Sequence, residues 1–405
     1  MIVTVTPAPA IDWTIRLEAF EWEAVNRSAE STREASGKGI NVSVALAAAG
    51  VQTLAVFPGG GSSGAFLAAE LERLGVPFRL AEVVPEVRTN ITLVTPGRAG
   101  TKVNESGAVL DASALQRFTA VVTDALPAGG AGAAGAGAGT GGAGAGTEGA
   151  DAGADVARTD TAAANVADAG AGGAGAAGAG AGAAGAGAGG ADADAGVDAA
   201  ADVARTDTAA ADVADAVLGC GSLPPGMPAS YYRDLVAEAS ARGLFTAVDT
   251  SGESFTFALE AGPSLVKPNV HELAEFTGRR LVTVGDVVEA AHELRSRGAG
   301  AVLASLGADG VVYVDAAHEL YGVGGPVEVV NTVGAGDALL AGFVGGRARG
   351  LDVAGCLSTA LAWAGAAVGT RSTHFAIPDA AATAATTITA VPAERALREP
   401  SQPLA

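Results

Sequence analysis

Asp337 stands directly behind Gly334, Ala335 and Gly336 in the string NTVGAGDALLAGF, residues 331–343, and an apolar helical pattern follows it. Small residues at a helix start let an anion reach the free N–H groups and the positive end of the helix with no Cβ in the way. A carboxylate in that first turn is no phosphate ligand, because like charges repel. It can accept a proton from an attacking hydroxyl, general-base work worth about 10²–10⁴-fold in rate. Taken alone, the string also fits a capped helix after a glycine turn.

Four further strings have chemistry to offer, each with a plainer alternative. In ASGKGINVSVA, residues 35–45, Lys38 lies between Gly37 and Gly39 just before a helix. The spacing matches neither a Walker A motif nor a dinucleotide fingerprint. Such a turn can hold an anion or a sugar hydroxyl, or simply carry a solvated lysine. In LVKPNVHELAEFTG, residues 265–278, Asn269 and Glu272 share a face across a helix start. Oxygen ligands of this kind suit Mg²⁺ through water, and the same spacing suits a capping arrangement. SLGADG, residues 305–310, follows a strand and forms a plausible nucleotide-edge turn. RTNITL, residues 88–93, puts Arg88 and Asn90 on one face of a strand, where Arg88 suits bidentate phosphate binding or faces solvent.

These strings need elements to position them. Apart from one long tract, strand patterns such as MIVTVT, TLAVFPG, AVLGC, LFTAVD and AVLAS alternate with amphipathic helix patterns such as GAFLAAELERLG and VGDVVEAAHELRSRG. That alternation predicts an α/β fold with a mainly parallel central sheet and helices on both faces. Residues 13–34 and 88–107 are extended and polar with no following helix, and predict a small separate β-sheet, a lid. In open α/β sheets ligands gather at the carboxyl ends of the strands, where the glycine-rich turns of this chain fall.

Composition narrows the classes. The chain has 405 residues, 49% hydrophobic, with a formal net charge of −20, which excludes the broad basic face of a nucleic-acid binder. Cys220 and Cys356 have no metal or disulfide spacing, so a reducing, cytoplasmic setting is expected. No signal peptide and no membrane span are legible. Residues 128–216 are nearly all Ala and Gly with scattered Asp, and hold a near-duplicate, DVARTDTAAANVADA at 155–169 and DVARTDTAAADVADA at 202–216. The tract carries −10 of the −20 charge. It offers little to bury, so a disordered insertion is expected. Lengthening a short surface loop to about ninety residues costs roughly 2–3 kcal/mol of closure entropy, which a large domain tolerates.

In combination and order the motifs resemble the ribokinase-like, PfkB-type carbohydrate kinases over roughly 1–127 and 217–380. ASGKGINVSVALAAAG is similar to that family's N-terminal signature and NTVGAGDALLAGF to its C-terminal one. TPAPAID, GKGIN, RTNITL, TKVNESG and GSLPPG look most like its 1-phosphofructokinase and tagatose-6-phosphate kinase branch. The resemblance implies a kinase domain from 1–127 and 217–390, with 391–405 as a C-terminal tail. It implies Asp337 as the base, with Gly334, Ala335 and Gly336 as an anion hole. Asp12, Gly37, Lys38, Gly39, Asn41, Arg88 and Asn90 would bind the substrate, with Arg88 on the phosphate it already carries. Lys267, Asn269, Ser305, Leu306, Gly307, Ala308, Asp309 and Gly310, together with Gly336, would contact ATP, and Asn269 and Glu272 would hold Mg²⁺ through water. The lid would close over the sugar and can pair with a second subunit as a homodimer. The activity implied is phosphorylation of fructose 1-phosphate at its 6-hydroxyl. Tagatose 6-phosphate and fructose 6-phosphate are alternative substrates, and a catalytically weak sugar-phosphate-binding regulator is an alternative of another class. The family usually has Asn where Ala8 stands and Ser where Cys220 stands.

Overall fold

A computed structural model describes residues 1–97, 100–129 and 215–401. The chain divides into two units, Met1–Gly132 with Asp207–Ala405, and Ala133–Thr206, and only the first contains described residues. The expected Ala/Gly insertion lies outside the described residues except at its two ends.

The first half runs β1 (Ile2–Val5), β2 (Ala10–Arg16), β3 (Glu30–Ser36), α1 (Lys38–Ala48), β4 (Thr53–Gly59), α2 (Gly61–Arg73), β5 (Phe78–Glu82), β6 (Arg88–Val94), β7 (Thr101–Asn104) and α3 (Ala112–Ala125). After the insertion come β8 (Ala216–Cys220), α4 (Tyr231–Ala241), β9 (Phe245–Asp249), α5 (Gly252–Glu260), β10 (Leu265–Val266), α6 (Val270–Thr277), α7 (Val284–Ser296) and β11 (Ala301–Ser305). The chain ends with β12 (Val311–Val314), β13 (Glu319–Val323), α8 (Ala335–Ala348), α9 (Val353–Val368), α10 (Ala380–Ala384) and β14 (Thr387–Ala390).

Among the described residues the large sheet has the order β14-β13-β12-β11-β10-β9-β8-β1-β4-β5. Its strands from β11 to β5 pair in parallel, and β12, β13 and β14 add an antiparallel edge. The inner parallel strands β1, β8, β10 and β11 are mostly apolar and buried because helices cover both faces, while the edge strand β5 exposes Arg79 and Glu82. One face buries Phe118 of α3, Tyr232 of α4, Phe255 of α5, Leu273 of α6 and Leu294 of α7. The other buries Val42 of α1, Leu339 and Phe343 of α8, and Trp363 of α9. Each such side chain contributes about 1.5–3 kcal/mol. At Gly342 an added Cβ would stand 2.6 Å from the Ala360 Cα, so the glycine is what lets α8 and α9 pack at backbone distance.

The two polar extended regions form the second sheet, with strand order β3-β2-β6-β7, and so supply the expected lid. Its residues are mostly half-buried or exposed, as one sheet face lacks a core to cover.

Candidate active site

Two helices that start with glycine define the centre. α1 follows Gly37 at φ 130°, α8 follows Gly334 at φ 80°, and neither start has a side-chain cap. Those φ values belong to the region only glycine adopts without strain. The first-turn amides of α8 therefore stay available to an anion, and both helices present a positive dipole end. By contrast α3, α7 and α9 are capped by Asp111, Thr283 and Asp352.

Asn41 in the first turn of α1 donates from Nδ2 to Asp337 Oδ2 in the first turn of α8 at 2.7 Å, a contact spanning 296 residues of sequence. Asp337 is only 8% exposed. Burial, and then the charge of Asp249, push its carboxyl up to about 6, while Asn41, Lys38 and Lys267 pull the other way. A base poised there is ionised at neutral pH and still basic enough to take a proton.

Asp249 itself had no motif to reveal it. It ends β9, is 1% exposed, and lies between two lysines: Lys38 Nζ at 2.7 Å from Oδ1 and Lys267 Nζ at 3.2 Å from Oδ2. Burial works to raise its pKa, but Lys267 and Lys38 outweigh that and hold it below the usual carboxylate value. In return, Asp249 overcomes the desolvation of Lys38 and holds that ammonium above its ordinary value. Lys267, 5% exposed, reaches the start of α8, where its Nζ lies 3.2 Å from the place a Gly336 Cβ would take. Asp249 was readable only as an acidic residue at the carboxyl end of a parallel strand.

At the lid base, Asp12 accepts from Ser36 Oγ at 2.7 Å and from Asn90 Nδ2 at 3.0 Å. β2 and β6 run parallel with Asp12 opposite Asn90, which brings the two together. Arg88 packs against Gly107 and donates from Nη2 to the Ala8 carbonyl at 3.2 Å, while its Nε is buried with no partner. Position 8 thus serves Arg88 through its main chain, which an alanine supplies as well as an asparagine. Cys220 is fully buried, and burial followed by the charges of Asp249 and Asp337 drives its thiol well above the usual range, so it stays neutral. It packs beneath Gly39, where a Cβ would stand 2.4 Å from Thr6 Oγ1.

The nucleotide-side strings are arranged differently from the catalytic ones. Asn269 and Glu272 form a reciprocal capping box: Asn269 Oδ1 accepts from the amides of His271 and Glu272, both at 2.9 Å, and Glu272 Oε2 from the Asn269 amide at 2.8 Å. The plainer alternative is therefore realised, and it leaves Glu272 Oε1 for any metal role. The turn from Ser305 to Gly310 holds a short 3₁₀ segment, Gly307–Asp309, beside β10 through the Asn269–Ser305 bridge. Leu306 is buried, and the Asp309 carboxylate faces inward, accepting from the Arg398 amide at 2.6 Å. Gly307, Ala308 and Gly310 present main chain rather than functional side chains. Mg²⁺ fits the donor set: it keeps most of its waters and takes one or two carboxylates. Glu272 retains an oxygen, whereas the buried Asp249 Oδ2 already lies 3.2 Å from the Lys267 ammonium, so it faces the ion as a charge paired with a lysine.

A buried carboxylate at a glycine-rich helix start, paired lysines beside it and a small second sheet next to a doubly covered parallel one suit a phosphoryl-transfer enzyme of α/β class. A profile of the pfkB family carbohydrate kinases matches residues 5–127 and 189–380, and the chain belongs to that family. A 1-phosphofructokinase of Rhodobacter capsulatus is 30% identical over 389 residues, covering 96% of each chain. Phosphofructokinase-2 from Escherichia coli, solved in complex with fructose-6-phosphate, superimposes with a TM-score of 0.65 at 23% identity, covering 91% of this chain and 93% of that one. Arabidopsis thaliana ribokinase, complexed with ribose and ATP, reaches 0.58 at 16% identity, covering 95% and 97%. These two share the ribokinase-like fold. Among the described residues no helix is long and apolar enough to cross a membrane.

Proposed function

We propose that the protein transfers the γ-phosphoryl group of ATP to the 6-hydroxyl of fructose 1-phosphate, giving fructose 1,6-bisphosphate and ADP. The observation that carries this reading is the meeting of Asp337 and Asn41 at two uncapped helix starts, beside Lys38, Asp249 and Lys267. Asp337 takes the hydroxyl proton as the sugar oxygen attacks the γ-phosphorus in line. The amides of Gly334, Ala335 and Gly336 receive the charge on the phosphoryl oxygens, where fixed dipoles in a dry site are most effective. Lys267 neutralises the phosphate chain from the nucleotide side. Arg88, with its unpartnered Nε, binds the 1-phosphate, and Asp12, Asn90 and the Gly37–Gly39 turn orient sugar hydroxyls. The turn from Ser305 to Gly310 borders the nucleotide. Glu272, beside the Asn269 cap, would hold Mg²⁺ through water, and the ion would supply charge neutralisation for the phosphates. The catalytic unit comprises 1–127 and 217–390, and the lid edge is the face on which two copies would pair.

A coupled ADP-release assay with fructose 1-phosphate, tagatose 6-phosphate and fructose 6-phosphate tests the assignment. Fructose 1-phosphate should give the highest kcat/KM. A higher value on either other sugar moves the assignment to that substrate, and negligible turnover on all three refutes kinase activity on this class.

A further inference from the structure

Glu34, on β3, stands opposite Asp12 of β2 in the lid register and leaves the lid to reach the segment that follows α9. Its carboxylate accepts from Ser372 Oγ, from the Thr373 amide at 3.3 Å and from Thr373 Oγ1 at 3.4 Å. Ser372 Oγ is itself fixed by the His374 amide at 2.9 Å, and Thr373 is only 8% exposed. Thr373 lies 3.8 Å from where a Cβ on Gly334 would stand, so this segment flanks the start of α8. One carboxylate therefore joins the strand facing Asp12 to the wall of the anion hole.

We propose that Glu34 is a positioning residue that ties the lid to the phosphoryl-transfer end of the site and so sets the space left for the sugar phosphate. The inference rests on the kinase reading above. A free carboxylate beside a phosphoryl group would repel it; accepting three donors from one neighbouring segment, Glu34 is held as part of the wall. Residues 338 and 339 positions away supply those donors, so the tie forms only when lid and C-terminal segment are both in place. Losing it leaves α8 and its base intact and frees the lid strands, so sugar affinity changes rather than nucleotide affinity.

The test compares Glu34→Ala and Glu34→Gln in the full chain. Hydrogen bonds to a charged group are strong enough that Glu34→Ala should raise KM for the sugar phosphate about tenfold, with KM for ATP within about twofold. Amide hydrogens of β2 and β3 should exchange about tenfold faster in the same variant, a readout that needs no turnover. Glu34→Gln keeps a carbonyl acceptor and should return KM to within about threefold of the parent. Should Glu34→Ala fold poorly, Ser372→Ala removes one donor and should shift KM and lid exchange in the same direction. Parental KM and parental lid exchange in Glu34→Ala would overturn the proposal, as would a lowered Tm with KM unchanged. If the parent phosphorylates no sugar phosphate, the kinase reading fails, while lid exchange still decides whether the tie exists.

Discussion

Replacing Asp337 by Asn keeps the side chain's shape and an acceptor for Asn41 while removing the charge, and its consequences for stability and activity have opposite sign. Burial and then Asp249 raise the Asp337 carboxyl from 3.8 to about 6 in the folded protein. At about 1.36 kcal/mol per unit, that difference of roughly two units amounts to about 3 kcal/mol. With its folded pKa above its unfolded one, the group favours the folded state fully below about pH 4. That contribution disappears as pH rises toward about 6, and above 6 the buried charge is a constant burden. Asn cannot ionise, so Asp337→Asn should be more stable than the parent by up to about 3 kcal/mol at pH 8 and by little at pH 4. Turnover should fall by about 10²–10⁴-fold at pH 8, because the hydroxyl loses its proton acceptor. The parent's kcat/KM should drop about tenfold per unit below pH 6, following ionisation of the free enzyme's base. Urea unfolding at pH 4.5 and 8, with the coupled ADP-release assay from pH 5 to 8, measures all three. An equal stability change at both pH values, or a flat kcat/KM down to pH 5, would refute the reasoning.

Further outcomes follow from single contacts. Arg88→Met should raise KM for a sugar phosphate about 10–100-fold and leave KM for ATP unchanged, since one buried charge-assisted site is lost; steady-state kinetics at varied sugar phosphate reads this. Gly342→Ala should cost about 1–3 kcal/mol in urea unfolding, because the new methyl meets the Ala360 backbone at 2.6 Å and α9 must move. Replacing residues 131–213 by a linker of about six Gly and Ser residues should change kcat/KM less than twofold and stabilise the fold by about 2 kcal/mol through shorter loop closure. A large loss of turnover there would show that the insertion takes part in the site.

Much of the architecture was legible because its signals are local. The apolar runs at β1, β4, β8, β9 and β11 and the glycine stops after α1, α2 and α4 reflect period, propensity and φ, which a short window contains. The polar extended stretches behind β2, β3, β6 and β7 marked the lid for the same reason. The antiparallel edge of β12, β13 and β14 was not foreseen, and neither was α9. Strand partnership depends on which distant segments meet, and α9, although 16 residues long, is so uniformly apolar that it shows little amphipathic contrast.

The sequence by itself determined the residue types at the site and their local setting: an acid behind Gly334–Ala335–Gly336, a lysine between Gly37 and Gly39, an Asn–Glu pair across a helix start. Tertiary structure alone decided their company. It set the buried Asp337 against Asn41 and put Asp249 between Lys38 and Lys267. It also carried Glu34 across the site mouth to Ser372 and Thr373. Charge, burial and hydrogen-bond geometry act through space over a few ångströms, and these partners are separated by up to several hundred residues along the chain. No local window holds both members of such a pair, so the pKa of the base and the seating of the lid exist only once the sheet has assembled.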